Sequence, residues 1–134
     1  MDIIEILKAD YGRFPDNQTY SIYTPDVFFQ DPLNKFNGLW RYKLMIKFIN
    51  TFFLNCKMDL HNIYRQEDTI KMEWTLSWNT PLPWKPHIAI NGWSELRVNA
   101  ENLICSHIDY WNTPRLDVIK QHFRNARSSS FTNS

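Results

Sequence analysis

The stretch TIKMEWTLSW, residues 69–78, constrains the fold of this chain more than any other. Apolar and polar side chains alternate along it, and neighbouring side chains of a strand point to opposite faces. The apolar face consists of Ile70, Met72, Trp74, Leu76 and Trp78. Such alternation predicts a strand of an antiparallel sheet that is buried on one face only.

Three more stretches in the second half predict strands, at residues 56–66, 87–98 and 103–111. In the first of them, one face holds Met58, Leu60 and Asn62, and the other holds Asp59, His61 and Ile63. The segments RQED and NAEN fit hairpin turns between the strands. Gly92, inside the second stretch, indicates either a bulge or a close approach of backbone.

The first half predicts helices. Apolar residues with helical spacing in the first segment are Ile3, Ile4, Leu7 and Tyr11. Asp2 is the candidate N-cap of this helix and Gly12 its end. Residues 17–24 predict a short helix that carries Tyr20 and Tyr23 and ends before Pro25.

A short strand, a loop and a longer helix are expected next. Val27, Phe29 and Asp31 share one face of the strand, and the Pro, Asn and Gly residues of 31–38 predict a loop. Residues 39–53 then predict a helix of about four turns. Its apolar stripe consists of Leu39, Tyr42, Met45, Ile46, Ile49 and Phe53.

A final helix is predicted at residues 113–126. Thr113 is expected to cap it, with Pro114 at its first position and Asp117 in its first turn. The residues expected to pack against the sheet are Leu116, Ile119 and Phe123. The basic residues near its end, which complement the helix dipole, are Lys120, His122, Arg124 and Arg127.

Helices come first and strands follow, without the strand–helix alternation of a parallel sheet. This order predicts an α+β fold with an antiparallel sheet. Helices packed on a concave face of such a sheet enclose a pocket. We expect one domain over residues 1–127 and a polar, disordered tail over residues 128–134.

Composition excludes several classes of protein. The 134 residues carry a net charge of +1, from 15 basic and 14 acidic residues, which argues against a nucleic-acid surface. Two cysteines are too few for a disulfide framework, and neither a signal peptide nor an apolar run of ~18 residues occurs. We therefore expect a cytoplasmic protein without a membrane span. The four histidines have no metal-ligand spacing, and no phosphate loop occurs, so no metal or cofactor is expected.

Two segments resemble a known superfamily. In YTPDVFFQDPLNKFNG a short strand starts with Asp26-Val27 and is followed by Asp31-Pro32, and LICSHIDYWN ends the last strand with HIDYW. These features resemble the nuclear transport factor 2-like superfamily and, within it, the SnoaL-like branch. More closely, FQDPLNKFNG, PLPWKP and SHIDYW resemble a family of unknown function found in cyanobacteria and plants.

The resemblance implies a cone-shaped, curved antiparallel sheet with N-terminal helices packed on its concave face. The superfamily includes ketosteroid isomerases, polyketide cyclases, dehydratases, carotenoid-binding domains and non-catalytic transport factors, so the fold does not imply one activity. Many similar proteins dimerise through the outer face of the sheet, which predicts a homodimer here. Alternation places Trp93 on that face.

The segment HIDYW contains the first catalytic candidates. Cys105, His107 and Asp109 share one strand face, where alternate Cα atoms are ~6.5 Å apart. A nucleophile and its base must converge to about 3 Å, so the row does not form a thiol triad. SnoaL-like cyclases use the position that corresponds to Asp109 as an acid/base, with His107 as its neighbour here. The alternative is that both side chains only bind backbone, Tyr or Trp groups.

Asp31 is the third catalytic candidate, because it shares a strand face with Phe29. The alternative is turn chemistry, since an aspartate before proline commonly accepts local N–H groups. Aromatic residues are the candidates for a pocket lining. They are Tyr20, Tyr23, Phe29, Trp74, Trp78 and Trp111. Plain core packing is the alternative for each of them.

Two functions of different classes follow. The first is a binding module whose aromatic pocket holds a small hydrophobic molecule. The second is a cofactor-independent isomerase, cyclase or dehydratase with Asp109 or Asp31 as the base. In this enzyme, His107 assists the base, and a tyrosine such as Tyr20 or Tyr23 stabilises the developing oxyanion. The sequence favours binding, because no carboxylate has an unmistakable partner.

Overall fold

The alternating stretch forms an inner strand of a curved, six-stranded sheet in the computed structural model, which describes residues 2–123. The elements in chain order are α1 (Ile3–Gly12), β1 (Tyr23–Gln30), β2 (Lys35–Asn37), α2 (Leu39–Phe52), β3 (Leu54–Gln66), β4 (Thr69–Asn79), β5 (His87–Val98), β6 (Ile104–Trp111) and α3 (Arg115–Gln121). The strand order across the sheet is β2-β1-β6-β5-β4-β3. The predicted α+β fold is confirmed.

One strand pair departs from the predicted antiparallel sheet. All neighbouring strands are antiparallel except β1 and β6, which run parallel. No hairpin joins β1 to β6, so no turn sets their relative direction. Their register is irregular between Tyr23 and Phe28. Pro25 lies in this interval, where it has no N–H to donate to a ladder.

Both N-terminal helices lie against the sheet with the faces that their apolar spacing predicts. Ile3, Leu7 and Tyr11 of α1 are buried, and so are Tyr42 and Ile46 of α2. Complete burial of a leucine side chain such as Leu7 contributes about 1.5–3 kcal/mol. The two predicted helices are confirmed.

Two local predictions in the first half are wrong. The expected short helix is only a 3-10 turn, Tyr20–Ile22, and Tyr23 already belongs to β1. Pro25 disfavours helical backbone at Thr24, so the chain extends early. The expected loop contains the strand β2, which pairs with β1. Phe36 of β2 stacks on Phe29 with ring centroids 5.1 Å apart.

A bulge changes which side chains of β3 face the core. Alternation placed Ile63 on the face opposite to Met58 and Leu60. The register between β3 and β4 shifts between Leu60 and Asn62, and Ile63 packs against the core with Met58 and Leu60. An extra residue in one strand reverses the alternation beyond it, because the period of a strand is two.

The predicted packing face of the last helix is also wrong. Leu116, Ile119 and Phe123 are exposed, and Val118 is the buried residue of α3. Polar contacts hold the helix instead. The side chain of Gln121 accepts a hydrogen bond from the Ala89 amide at 2.7 Å and donates to its carbonyl at 3.1 Å.

The predicted cap of that helix has a different role. Thr113 does not cap it, because its hydroxyl accepts a hydrogen bond from the amide of Asn91 at 3.1 Å. Pro114 is the N-cap, and the helix starts at Arg115. Arg124, Arg127 and the predicted tail lie outside the described residues, and the domain bounds stay a prediction.

Gly92 marks a close approach of backbone and not a bulge. The register of β5 with β4 is continuous through this residue. A Cβ atom here would lie 2.5 Å from the carbonyl oxygen of Tyr110 and 2.6 Å from Cη2 of Trp74. Only a residue without a side chain leaves room for the Trp74 ring.

We expect Gly92→Ala to lower the free energy of unfolding by about 1–3 kcal/mol, since backbone and a buried ring must both move. Urea denaturation measures this change. Gly12→Ala is the matched control, because no heavy atom lies within 4 Å of the added Cβ. The control should stay within ~1 kcal/mol of the original protein, on the stabilising side. Equal stabilities of the two variants would contradict the close approach.

Candidate functional site

The concave side of the sheet encloses a cavity of about 880 Å³. Its wall is mostly apolar, with α2 as the largest contributor and further side chains from all six strands. The apolar side chains of this wall include Met45, Ile49, Phe53, Met58, Leu76, Trp78 and Ile90. Leu33, Leu44, Phe48 and Phe52 line the cavity and are also exposed, so they lie at its opening.

Strand register builds the polar part of the wall. Asp109 of β6 lies opposite Ser94 of β5, and Trp74 of β4 lies opposite Gly92. The Trp74 indole N–H donates to the Ser94 hydroxyl at 2.8 Å, and that hydroxyl donates to Oδ1 of Asp109 at 2.5 Å. His107 approaches the same oxygen through Nε2 at 2.7 Å. The network that ends at this carboxylate oxygen therefore joins three strands.

Two atoms of this network have no hydrogen-bond partner among the described residues. His107 is 3% exposed, and its Nδ1 is buried without a hydrogen-bond partner among the described residues. Oδ2 of Asp109 likewise accepts no hydrogen bond from residues 2–123. A buried polar atom without a partner costs about 1–3 kcal/mol. The Asp109 side chain is 19% exposed, so its Oδ2 is the atom of this network that is open to the cavity.

Aromatic rings fix the position of the imidazole. The ring of His107 packs against Phe29 and Tyr42, with centroids 5.2 and 6.0 Å away. Because Nε2 faces a carboxylate oxygen, Nε2 is the donor of this hydrogen bond.

Two tyrosines of the cavity wall remain protonated. Burial raises the pKa of Tyr11 well above its usual value, and the nearby Asp109 charge adds to the shift. The pKa of Tyr42 is also raised, by burial first and then by neighbouring groups. Both phenols line the cavity and keep their O–H protons at neutral pH. Both are therefore uncharged groups of the cavity wall.

A second polar network, near α3, is complete. Trp78 donates its indole N–H to the Thr80 hydroxyl at 3.0 Å, and Nε2 of His122 lies 2.9 Å from that hydroxyl. Nδ1 of His122 meets the Val118 carbonyl at 2.8 Å. Every nitrogen of His122 thus has a partner, so this network is explained by structure alone.

Asp31 lines the cavity but serves a turn. Its Oδ1 accepts hydrogen bonds from the amides of Leu33 and Asn34, at 2.8 and 2.6 Å. Burial raises the pKa of Asp31, and these hydrogen bonds oppose the rise. The turn interpretation accounts for the contacts of Asp31. Asp109 differs, because its Oδ2 accepts no hydrogen bond from the described residues.

Most of the residues expected at the site lie on the cavity wall. They are Phe29, Asp31, Trp74, Trp78, His107, Asp109 and Trp111. Tyr20 and Tyr23 do not line it. Their rings contact Tyr42, at centroid distances of 6.3 and 5.2 Å. Because β1 starts early, Tyr23 points into the core. Tyr42 lines the cavity where Tyr23 was expected.

Tyr11, Tyr42 and Ser94 are site residues that the sequence did not single out. Tyr11 and Tyr42 read as ordinary helix packing residues, since their spacing matches the core-facing stripes. A serine that shares a strand face with Leu96 was the available signal for Ser94, because a buried hydroxyl needs partners. Within residues 2–123, no three His, Cys, Asp or Glu side chains are grouped as a metal site requires.

The outer face of the sheet carries a separate aromatic pair. Trp93 and Tyr110 stack with centroids 4.1 Å apart, so Trp93 points away from the cavity as expected. The homodimer through this face stays a prediction. Among the helices of residues 2–123, none is long and apolar enough to cross a membrane.

Solved structures with similar folds define the class of protein. A ketosteroid isomerase-like protein from Catenulispora acidiphila has a TM-score of 0.73 at 16% identity, covering 90% of this chain and 92% of its own. A SnoaL-like protein from Jannaschia sp. has 0.74 at 9%, covering 90% and 92%. An epoxide hydrolase from M. tuberculosis has 0.71 at 12%, covering 96% and 92%. The chain has the NTF2-like fold.

The family is narrower than the fold. Residues 1–107 match the family described as "Uncharacterized conserved protein (DUF2358)", and the chain belongs to this family. The resemblance to the NTF2-like superfamily is thereby confirmed. No curated protein matches the sequence.

We expect Ser94→Ala to lower the free energy of unfolding by ~2 kcal/mol, because it leaves the Trp74 N–H buried without an acceptor and removes a donor to Asp109. Thermal denaturation measures the loss. Ser77→Ala on the outward face of β4 is the control and should change stability by less than ~0.5 kcal/mol. Similar losses for both serines would show that the buried network contributes nothing specific.

Proposed function

We propose that the chain binds a small hydrophobic molecule in the cavity, with one polar group of that molecule facing Asp109 and His107. The volume of about 880 Å³ lies within the range of ligand sites, roughly 300–1,000 Å³. Such sites are mostly apolar and contain a few convergent polar groups. The wall described above has this composition.

The contrast between the two histidine networks carries the proposal. His122 has partners for both ring nitrogens, whereas His107 and Asp109 each keep one atom without a partner within residues 2–123. Both networks border the same cavity. A structural role accounts for the first network, and a polar group on a ligand would contact the second at Oδ2 of Asp109.

Similar folds that accept small molecules support the proposal. The Catenulispora protein was solved in complex with trimethylamine. The M. tuberculosis protein is an epoxide hydrolase. Both chains are under 25% identical to this one. They therefore support a small-molecule site inside this fold, but they do not indicate a particular ligand.

A larger side chain in the cavity should weaken binding. We expect Met45→Trp to weaken the binding of a hydrophobic dye such as anilinonaphthalene sulfonate by about tenfold or more, which corresponds to ~1.4 kcal/mol. Fluorescence titration measures this, and native mass spectrometry of protein purified from its own host identifies the bound molecule. Tyr64→Trp, on the outer face, is the control for an added indole. Equal dye affinities for both variants, or a host protein without ligand, would count against the proposal.

A second candidate function is proton transfer, favoured by the available Oδ2 of Asp109. This carboxylate oxygen would remove a proton beside a carbonyl of the bound molecule, while Ser94 and His107 hold Oδ1 in place. Tyr11 or Tyr42 would donate its phenolic hydrogen bond to the developing oxyanion. The proton on Asp109 then returns to a different carbon, which completes an isomerisation without a cofactor.

Asp109→Asn distinguishes catalysis from binding. We expect the variant to lose about 100-fold or more of the rate of deuterium exchange into hydrophobic ketones, because a positioned base contributes roughly 10²–10⁴. Nuclear magnetic resonance follows the exchange. Asp31→Asn, whose amide oxygen still accepts the turn hydrogen bonds, should keep the rate. If the two variants exchange equally fast, Asp109 is not the base.

A further inference from the structure

The outer face of α2 carries a row of apolar side chains. Trp40, Leu44, Phe48 and Phe52 recur every four residues and are 61%, 56%, 56% and 46% exposed. We name these four residues the α2 stripe. Single exposed apolar residues are common, but a contiguous row of large ones marks an interaction surface.

Positive charge accompanies the α2 stripe. Between Asp31 and Asp59 the chain contains no acidic residue, although its total charge is only +1. The cations in this interval are Lys35, Arg41, Lys43, Lys47 and Lys57. At 3.6 residues per turn, Lys43 and Lys47 follow the edge of the stripe at Trp40, and Arg41 lies on the other side.

The three α2 cations have no carboxylate partners. The salt bridges among residues 2–123 involve none of Arg41, Lys43 and Lys47. Arg41 lies 5.0 Å from the centre of the Trp40 ring, and Lys43 lies 5.1 Å from that of Tyr20. Their charges are therefore available to an anionic partner.

We propose that α2 docks onto a membrane surface that contains anionic lipids. A helix with Trp, Phe and Leu on one side and cations beside them lies in the interface of a bilayer. The α2 stripe would enter the boundary between headgroups and acyl chains. Arg41, Lys43 and Lys47 would contact the lipid phosphates.

A second copy of the chain fits this face less well. A two-fold dimer places the same patch of each subunit against its counterpart. The α2 cations would then meet the same cations, with no acidic residue between positions 31 and 59 to pair with them. Desolvating like charges opposes such a contact, whereas an anionic lipid surface neutralises them.

The docking surface continues into the cavity. Leu44, Phe48 and Phe52 belong to the α2 stripe and also line the cavity opening. A docked helix therefore presents that opening to the bilayer. This step rests on the proposed ligand binding. It implies that the ligand is a lipophilic molecule that resides in the membrane.

Flotation with vesicles tests the docking. We expect the full chain to bind vesicles of equal parts phosphatidylcholine and phosphatidylserine, and to bind phosphatidylcholine alone much more weakly. Lys43→Glu combined with Lys47→Glu should weaken binding by more than ~25-fold, because the loss of two cations costs about fivefold each near an anionic surface and the two new carboxylates are repelled by it. The control, Lys71→Glu combined with Arg97→Glu on the outer sheet face, changes net charge equally and should bind as the original does.

Three results would overturn the proposal. They are no binding to the anionic vesicles, equal losses for the two double variants, and a dimer in sedimentation that Trp40→Ser dissociates while vesicle binding is absent. Trp40→Phe adds a direct readout of insertion. Brominated lipids should quench the fluorescence of the original protein more than that of this variant, and equal quenching would place Trp40 outside the bilayer.

The dye titration keeps this proposal separate from the proposed function. Lys43 and Lys47 do not line the cavity. Their double variant should bind the dye normally without vesicles while it loses vesicle binding. If the chain binds vesicles but not the dye, the docking proposal stands and the proposed ligand site is wrong.

Discussion

The close contact between Trp74 and the backbone at Gly92 is the constraint on which the site depends. The indole occupies the space where any other residue would carry a Cβ atom. From that position its N–H reaches Ser94, which in turn reaches Asp109. Asp109 then holds His107. A missing side chain on β5 thus determines where a carboxylate and an imidazole lie on β6.

The two polar networks inside the cone differ in how many of their hydrogen-bonding atoms have partners. The network of Trp78, Thr80 and His122 satisfies its donors and acceptors, as buried polar groups usually are. The network around Asp109 leaves Nδ1 of His107 buried without a described partner. Retaining such an atom costs stability.

The helix α2 is apolar on more than one side. One side packs Tyr42 and Ile46 into the core, another lines the cavity, and the exposed side carries the α2 stripe. A helix in water normally presents a polar face opposite the core. On α2 the polar side chains besides Tyr42 are only Arg41, Lys43, Lys47, Asn50 and Thr51. The apolar surface of the helix therefore continues from the cavity opening to its exposed side.

Local patterns in the sequence determined five of the six strands, the two long helices, the α+β class and the inward face of β4, because a period of two or 3.6 needs only neighbouring residues. His107 and Asp109 were recognisable for the same reason. Only the tertiary structure decided that Ile63 faces inward and that Val118, not Leu116, packs α3. It also decided that Tyr11 and Tyr42 replace Tyr20 and Tyr23 at the cavity. A bulge, the docking of a short helix and the register that joins Ser94 to Asp109 depend on residues far apart in the chain, which no local period encodes.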